Sequence, residues 1–272
     1  MKCFQLNVLN LVILTLVLAG CASEVYQEAG SYNPNTLISN SLIACHDNDI
    51  AEGKKTLEKV MTNEKSNPQY WNALGLCYSL SQEPVKANFY YDLGLEAIGQ
   101  YKGIDKKQLE ATLLNNMALI HLSYKRFNDA YLTFKRAEAL APEIFNIQLN
   151  ISQLLLEFKY DDKALVILNK LETLRPGDTD VLYSQALIYT RKNEYEKALV
   201  TLSKINSAKN TRPDIAGVYA FNLLKINQLT DALAVIDKTH NTKGYEEHIS
   251  RNKVIEKEIE AKLKEQTLTQ KK

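Results

Sequence analysis

Four short pieces of this chain line up in register: RFNDAYLTF, YDDKALVIL, EYEKALVTL and QLTDALAVI. Their alanines, Ala130, Ala164, Ala198 and Ala232, are spaced 34 residues apart. A fixed period of this length is the strongest constraint on the fold, because each unit must then be one supersecondary element stacked on its neighbours. Four residues after each alanine comes a large apolar side chain: Phe134, Leu168, Leu202 and Ile236. A spacing of four is one helical turn, so the small and the large residue share a helix face. The alanine marks a close approach between two helices, and the large residue packs one turn on. Pro142 and Pro176, also 34 apart, end the second helix of their units and open the next turn. Glycine (10) and proline (6) are scarce among the 272 residues, which fits long helices better than many tight β-turns.

The clearest single unit lies earlier. Trp71, Leu74, Gly75, Tyr78, Ala87 and Tyr91 follow the pattern W-x₂-L-G-x₂-Y, then A-x₃-aromatic. This resembles the tetratricopeptide repeat, a helix–turn–helix unit of 34 residues. From Ala87 to Ala130 is 43 residues, so nine are inserted; IGQYKGIDK, Ile98 to Lys106, is the expected place. Upstream, residues 36–66 form a weaker unit with Gly53 in the alanine slot. The predicted fold is all-α: a tetratricopeptide solenoid of about five to six hairpins over residues 36–244. A C-terminal capping helix and tail follow over 245–272, with Ile249, Ile255, Ile259 and Leu263 as its apolar stripe.

The first 20 residues read as a separate object. Met1-Lys2 is a short basic start, and Leu11 to Leu18 is an apolar run too short to span a bilayer. Leu18-Ala19-Gly20-Cys21 resembles the bacterial lipobox. That resemblance implies cleavage before Cys21 and acylation of it, and Ala22 in the next place implies sorting to the outer membrane, facing the periplasm. Two or more acyl chains give a stable anchor, at about 0.8 kcal/mol per buried CH₂. Residues 21–35 would be a tether spanning roughly 20 Å if flexible. Lys plus Arg is 33 and Asp plus Glu is 32, so there is no strong field to attract nucleic acid or to hold the body on lipid. Cys45 and Cys77 remain. They either close a disulfide, worth about 3–4 kcal/mol in the loop-entropy model, or sit apart as buried thiols.

Catalytic constellations do not form. His46, His121, His240 and His248 make no HExxH and no zinc spacing with cysteine, and there is no GxGxxG or P-loop. HDND, His46 to Asp49, reads as a helix end followed by a helix N-cap. His121 falls in the slot of Tyr78 and Tyr189 and is predicted to pack. The expectation is a binding protein with no cofactor and no metal.

By resemblance to the repeat family, positions 5, 6 and 9 of each first helix face a concave groove. Residue by residue these are Asn115, Asn116 and Leu119; Leu149, Asn150 and Gln153; Tyr183, Ser184 and Leu187; and, at position 9 of the last clear repeat, Phe221. Asn116 and Asn150 share a position that in some relatives grips a peptide backbone, and an amide can both donate and accept. The other reading gives these asparagines to helix ends or solvent. The lipobox, the tether, WNALG at Trp71 to Gly75 and LLNNMALIHL from Leu113 together resemble the small lipoproteins of tight-adherence (Flp) pilus assembly. That resemblance implies a pilotin or assembly factor, with a secretin or another pilus component as partner. Two alternatives are an envelope adaptor recruiting periplasmic proteases or peptidoglycan enzymes, and a type IV pilus pilotin.

Overall fold

A computed structural model describes residues 37–206, 212–239, 242 and 244–270. Cys21, its signal and its tether lie outside the described residues. Thirteen helices are described. They are α1 (Leu37–His46), α2 (Ile50–Glu64), α3 (Pro68–Leu80), α4 (Pro84–Gln100), α5 (Lys106–Ser123), α6 (Phe127–Leu140) and α7 (Phe145–Glu157). Then come α8 (Asp161–Leu174), α9 (Thr179–Arg191), α10 (Tyr195–Leu202), α11 (Pro213–Lys225), α12 (Leu229–Asp237) and α13 (Glu246–Gln270). Among the described residues there is no strand, and no helix is long and apolar enough to cross a membrane. Consecutive helices pair as α1–α2, α3–α4, α5–α6, α9–α10 and α11–α12, and a long last helix follows. The described chain divides into two compact units, one up to Leu154 and one from Leu155 on.

The period reappears as geometry. Ala87, Ala130, Ala164, Ala198 and Ala232 are fully buried, and so are the partners four residues on, from Tyr91 to Ile236. Each hairpin turns through one left-handed residue: Asn48, Gln82, Lys125, Lys159, Asn193 and Asn227. The next amide reaches back across the turn, as Glu83 N to Tyr78 O at 2.9 Å and Glu194 N to Tyr189 O at 2.8 Å. This six-residue closure satisfies the last carbonyls of the first helix. Glycine is the easiest residue there, yet none of the six is glycine. The second helices begin without strong side-chain caps, except α2, where Asp49 Oδ1 accepts from Glu52 N at 3.3 Å.

In the unit up to Leu154, Cys45 on α1 and Cys77 on α3 form a disulfide. It resolves the two sequence readings in favour of the bridge. Gly53 in the alanine slot follows from it. A Cβ there would lie 2.2 Å from Cys45 Sγ and 3.0 Å from the backbone oxygen of Ser41. The sulfur occupies the volume that the alanine methyl fills in the other hairpins. Trp71 fixes the entry of α3, its Nε1–H donating to Lys65 O at 2.8 Å. The insertion lengthens α4 to Gln100 and adds a short connection, pinned by the Tyr101 hydroxyl on Asp105 Oδ1 at 2.9 Å.

In the unit from Leu155 on, α13 packs on α11 and α12 through Ile255, Ile259 and Leu263. The stripe differs from the predicted one at its start. His248 and Asn252 are buried, whereas Ile249 is only half-buried. The reason is register. His248, Arg251 and Asn252 stand 34 residues after Asp214, Gly217 and Val218, so α13 continues the repeat as one more first helix. Asn252 fills the space left by Gly217, where a Cβ would meet Asn252 Oδ1 at 2.2 Å, and its amide donates to Pro213 O at 2.8 Å.

Candidate partner-binding surface

The predicted groove residues fall in two sets. In the unit up to Leu154, Asn115, Asn116, Asn150 and Gln153 are buried, and Leu119 is half-buried. The asparagines bond to one another. Asn150 Nδ2 donates to Asn115 Oδ1 at 2.8 Å, Asn115 Nδ2 to Asn116 Oδ1 at 3.3 Å, and Asn116 Nδ2 to Asn72 Oδ1 at 2.9 Å. The relay ties α3, α5 and α7, the first helices of successive hairpins. These amides are committed to holding the array together, as a buried polar group must be. Asn72 completes the relay and was not among the sequence candidates. Its signal was there to read, since it stands 43 residues before Asn115, the same offset as Ala87 to Ala130.

In the unit from Leu155 on, Tyr183 and Leu187 are buried on α9 and Phe221 is half-buried on α11, with Lys225 Nζ 4.9 Å from its ring centre. Around Tyr183 the helices carry charge. Arg212, at the start of α11, bridges Asp180 Oδ1 at 3.1 Å and Asp214 Oδ2 at 2.7 Å. Arg191, at the end of α9, reaches Asp161 Oδ1 at 2.7 Å and Leu156 O at 2.9 Å. Arg251 of α13 pairs with Glu247. Burial pushes the Tyr183 hydroxyl well above its ordinary value, and Asp214 adds to this. Burial likewise lowers Arg191, against the opposing pull of Asp161. Arg191, Arg212 and Arg251 were missed at the sequence level. Only Arg251 had a periodic signal, 68 residues after Tyr183. A buried Thr190–Asn222 pair, 2.8 Å from the amide to the hydroxyl, ties α9 to α11.

His121 packs as a half-buried side chain, and burial lowers its pKa, followed by the field of Arg126. Among the described residues no group of histidines, cysteines and carboxylates is placed to hold a metal ion. The arrangement offers surfaces and donors for binding.

No protein-family model matches this chain, and no curated protein matches it. Solved structures do match it in fold. PilF of Pseudomonas aeruginosa aligns at 17% identity over 80% of this chain and 95% of its own, with a TM-score of 0.63. TTC0263, a tetratricopeptide-repeat protein of Thermus thermophilus, aligns at 19% identity over 69% and 98%, with a TM-score of 0.55. MamA from Desulfovibrio magneticus, from residue 41 of that protein on, aligns at 16% identity over 65% and 94%, with a TM-score of 0.51. With the 34-residue hairpins, these likenesses make the fold a tetratricopeptide-repeat fold.

Proposed function

We propose that this chain is a lipid-anchored scaffold that binds a protein partner at the periplasmic face of the outer membrane. The finer reading is a pilotin or assembly factor for a tight-adherence (Flp) pilus or a related secretion apparatus. One observation carries it: Leu18-Ala19-Gly20-Cys21 stands shortly before an array of repeat helices that begins at Leu37. An anchor supplies location, and a repeat array supplies an extended surface for a partner segment. The resemblance to the pilus lipoproteins chooses among envelope partners.

The test is a crosslinked pull-down from envelopes using the tagged chain with its own signal, beside a Cys21→Ala variant. Recovery of a secretin or another pilus component with the wild-type chain, and its loss with Cys21→Ala, supports the reading. Recovery of proteases or wall hydrolases instead replaces the pilus reading with the adaptor one. If Cys21→Ala still fractionates with the outer membrane, the anchor is wrong.

A further inference from the structure

On the second helices, the residue two places after the small buried one is exposed. On four of them it is a large apolar side chain: Phe89 and Leu132 in the unit up to Leu154, Val166 and Val200 in the unit from Leu155 on. Val166 and Val200 are 72% and 62% exposed. A single exposed apolar residue is ordinary. Its return at one outward position of the repeat marks a face that something covers.

The surroundings of the two valines select the occupant. Asp162 stands four residues before Val166, and Lys170 four after it. Glu196 and Lys204 stand at the same offsets from Val200. An offset of four is one helical turn, so each valine lies between an acid and a base on one outward face. All four charged residues are exposed. Lys204 follows the end of α10, but its amide holds Thr201 O at 3.3 Å and continues the turn. Glu196, Lys170 and Lys204 have no ion pair among the described residues, while Asp162 meets Lys192 Nζ at 2.6 Å. Two further lysines of this face are engaged at their own helix starts. Lys197 bridges Glu194 at 3.2 Å, and Lys163 Nζ lies 5.0 Å from the Tyr160 ring centre. Both α8 and α10 pack on α9. The second helices α4, α6 and α12 lack this acid, apolar, base order at the same spacing. The helix macrodipole accounts for acids early and bases late. It gives no reason for a β-branched aliphatic side chain in water between them.

That order is self-complementary. When a second copy is turned end for end over the valines, its bases meet the first copy's acids at both ends. A two-fold interface of this kind presents the same patch from both sides and makes every contact twice. Asp162 and Glu196 would repel an anionic lipid surface, and a partner of one charge would leave half of the face unmatched. We propose that the outward face of α8 and α10 docks on the same face of a second copy of this chain, with the helices antiparallel. The valines meet across the two-fold axis, and Glu196 opposes Lys170 or Lys204 of the second copy, according to which helix lies opposite. Exposed ion pairs and small aliphatic side chains make a weak interface. The membrane anchor proposed above would raise the local concentration of the copies, but the complementarity does not depend on it.

Sedimentation equilibrium of the full mature chain in density-matched detergent tests this, and a reversible dimer is expected. Glu196→Lys should raise its dissociation constant about tenfold or more, since it sets like charges together twice. Adding Lys170→Glu or Lys204→Glu to Glu196→Lys should return the constant to within about threefold of the wild-type value. The lysine whose exchange restores the dimer identifies the helix opposite. Val200→Asp should also weaken the dimer. These positions are exposed, so each variant should keep the wild-type thermal midpoint closely, which checks its folding. A chain that stays monomeric up to about 1 mM overturns the proposal. So does a loss in Glu196→Lys that neither lysine exchange restores, or a dimer that Glu196→Lys and Val200→Asp leave unchanged. A monomeric chain whose Lys170 and Lys204 are shielded from acetylation only in anionic nanodiscs gives the face to lipid instead. Each of these failures leaves the envelope pull-down standing, since that reads the anchor and the partner.

Discussion

The side-chain amide of Asn150 on α7 donates to Oδ1 of Asn115 on α5 at 2.8 Å, in the interior of the array. With Asn116 and Asn72 it forms a relay that runs through three successive first helices. Asn116→Ala should leave Asn72 Oδ1 without a donor and Asn115 Nδ2 without an acceptor. The expected loss is about 2–4 kcal/mol of stability, read by urea denaturation. A loss below about 0.5 kcal/mol would mean that the amides exchange with water and are available to a ligand.

Gly217 leaves a space that Asn252 fills, since a Cβ there would lie 2.2 Å from Asn252 Oδ1. Gly217→Ala should force Asn252 off its bond to Pro213 O and loosen α13 from α11, costing about 1–3 kcal/mol. Hydrogen exchange of the α13 amides is the measurement. Asn252→Ala in the same chain should restore part of the protection. Protection that stays at wild-type level in Gly217→Ala would show that α13 does not depend on this contact.

The Cys45–Cys77 bridge spans a sequence separation of 32 residues and joins the first hairpin to the second. Cys77→Ser should lower stability by about 3–4 kcal/mol in the chain-entropy model, with the loss concentrated in α1 and α2. Gly53→Ala should act at the same place, because the added methyl meets both Cys45 Sγ and rigid backbone at Ser41 O. Mass spectrometry after thiol alkylation reads the bridge. Quantitative alkylation of both cysteines in chain isolated from envelopes would remove it.

Burial holds the His248 imidazole below its ordinary 6.5; Asp214 and Glu247 pull the other way, and Arg251 and Arg212 reinforce the burial. The folded chain therefore binds fewer protons than the unfolded chain just below pH 6.5, so stability rises with pH there. The contribution is whole above 6.5 and is lost as pH falls toward the lowered folded value. His121 is shifted the same way by its own burial. Thermal midpoints taken from pH 7.5 to 5 should fall, and His248→Gln should flatten part of that slope. An unchanged slope in the variant would assign the whole effect to other groups.

Much of the fold was legible because a repeat writes the same packing demand many times. Ala130, Ala164, Ala198 and Ala232 and their partners four residues on are chosen by one close helix approach, so period and burial coincide. The hairpin turns were less legible. Their left-handed residues include Gln82, Lys125 and Lys159, where glycine would have announced the turn. The groove residues were found by position, but position does not say what a side chain bonds to. Asn116 and Asn150 looked like ligands for a peptide backbone and are bonded within the relay.

The sequence by itself determined the helical hairpins, their approximate number and the place of the insertion, because these depend on local spacing and residue type. Only the tertiary structure decided the partners of the polar groups. It joined Cys45 to Cys77, spent the asparagines on one another and left Tyr183, Arg191 and Arg251 with donors that no other described residue accepts. The physical reason is that the bonds between helices join residues 32 to 44 positions apart in sequence, and hydrogen bonding is set by distance and angle between them, which periodicity leaves open.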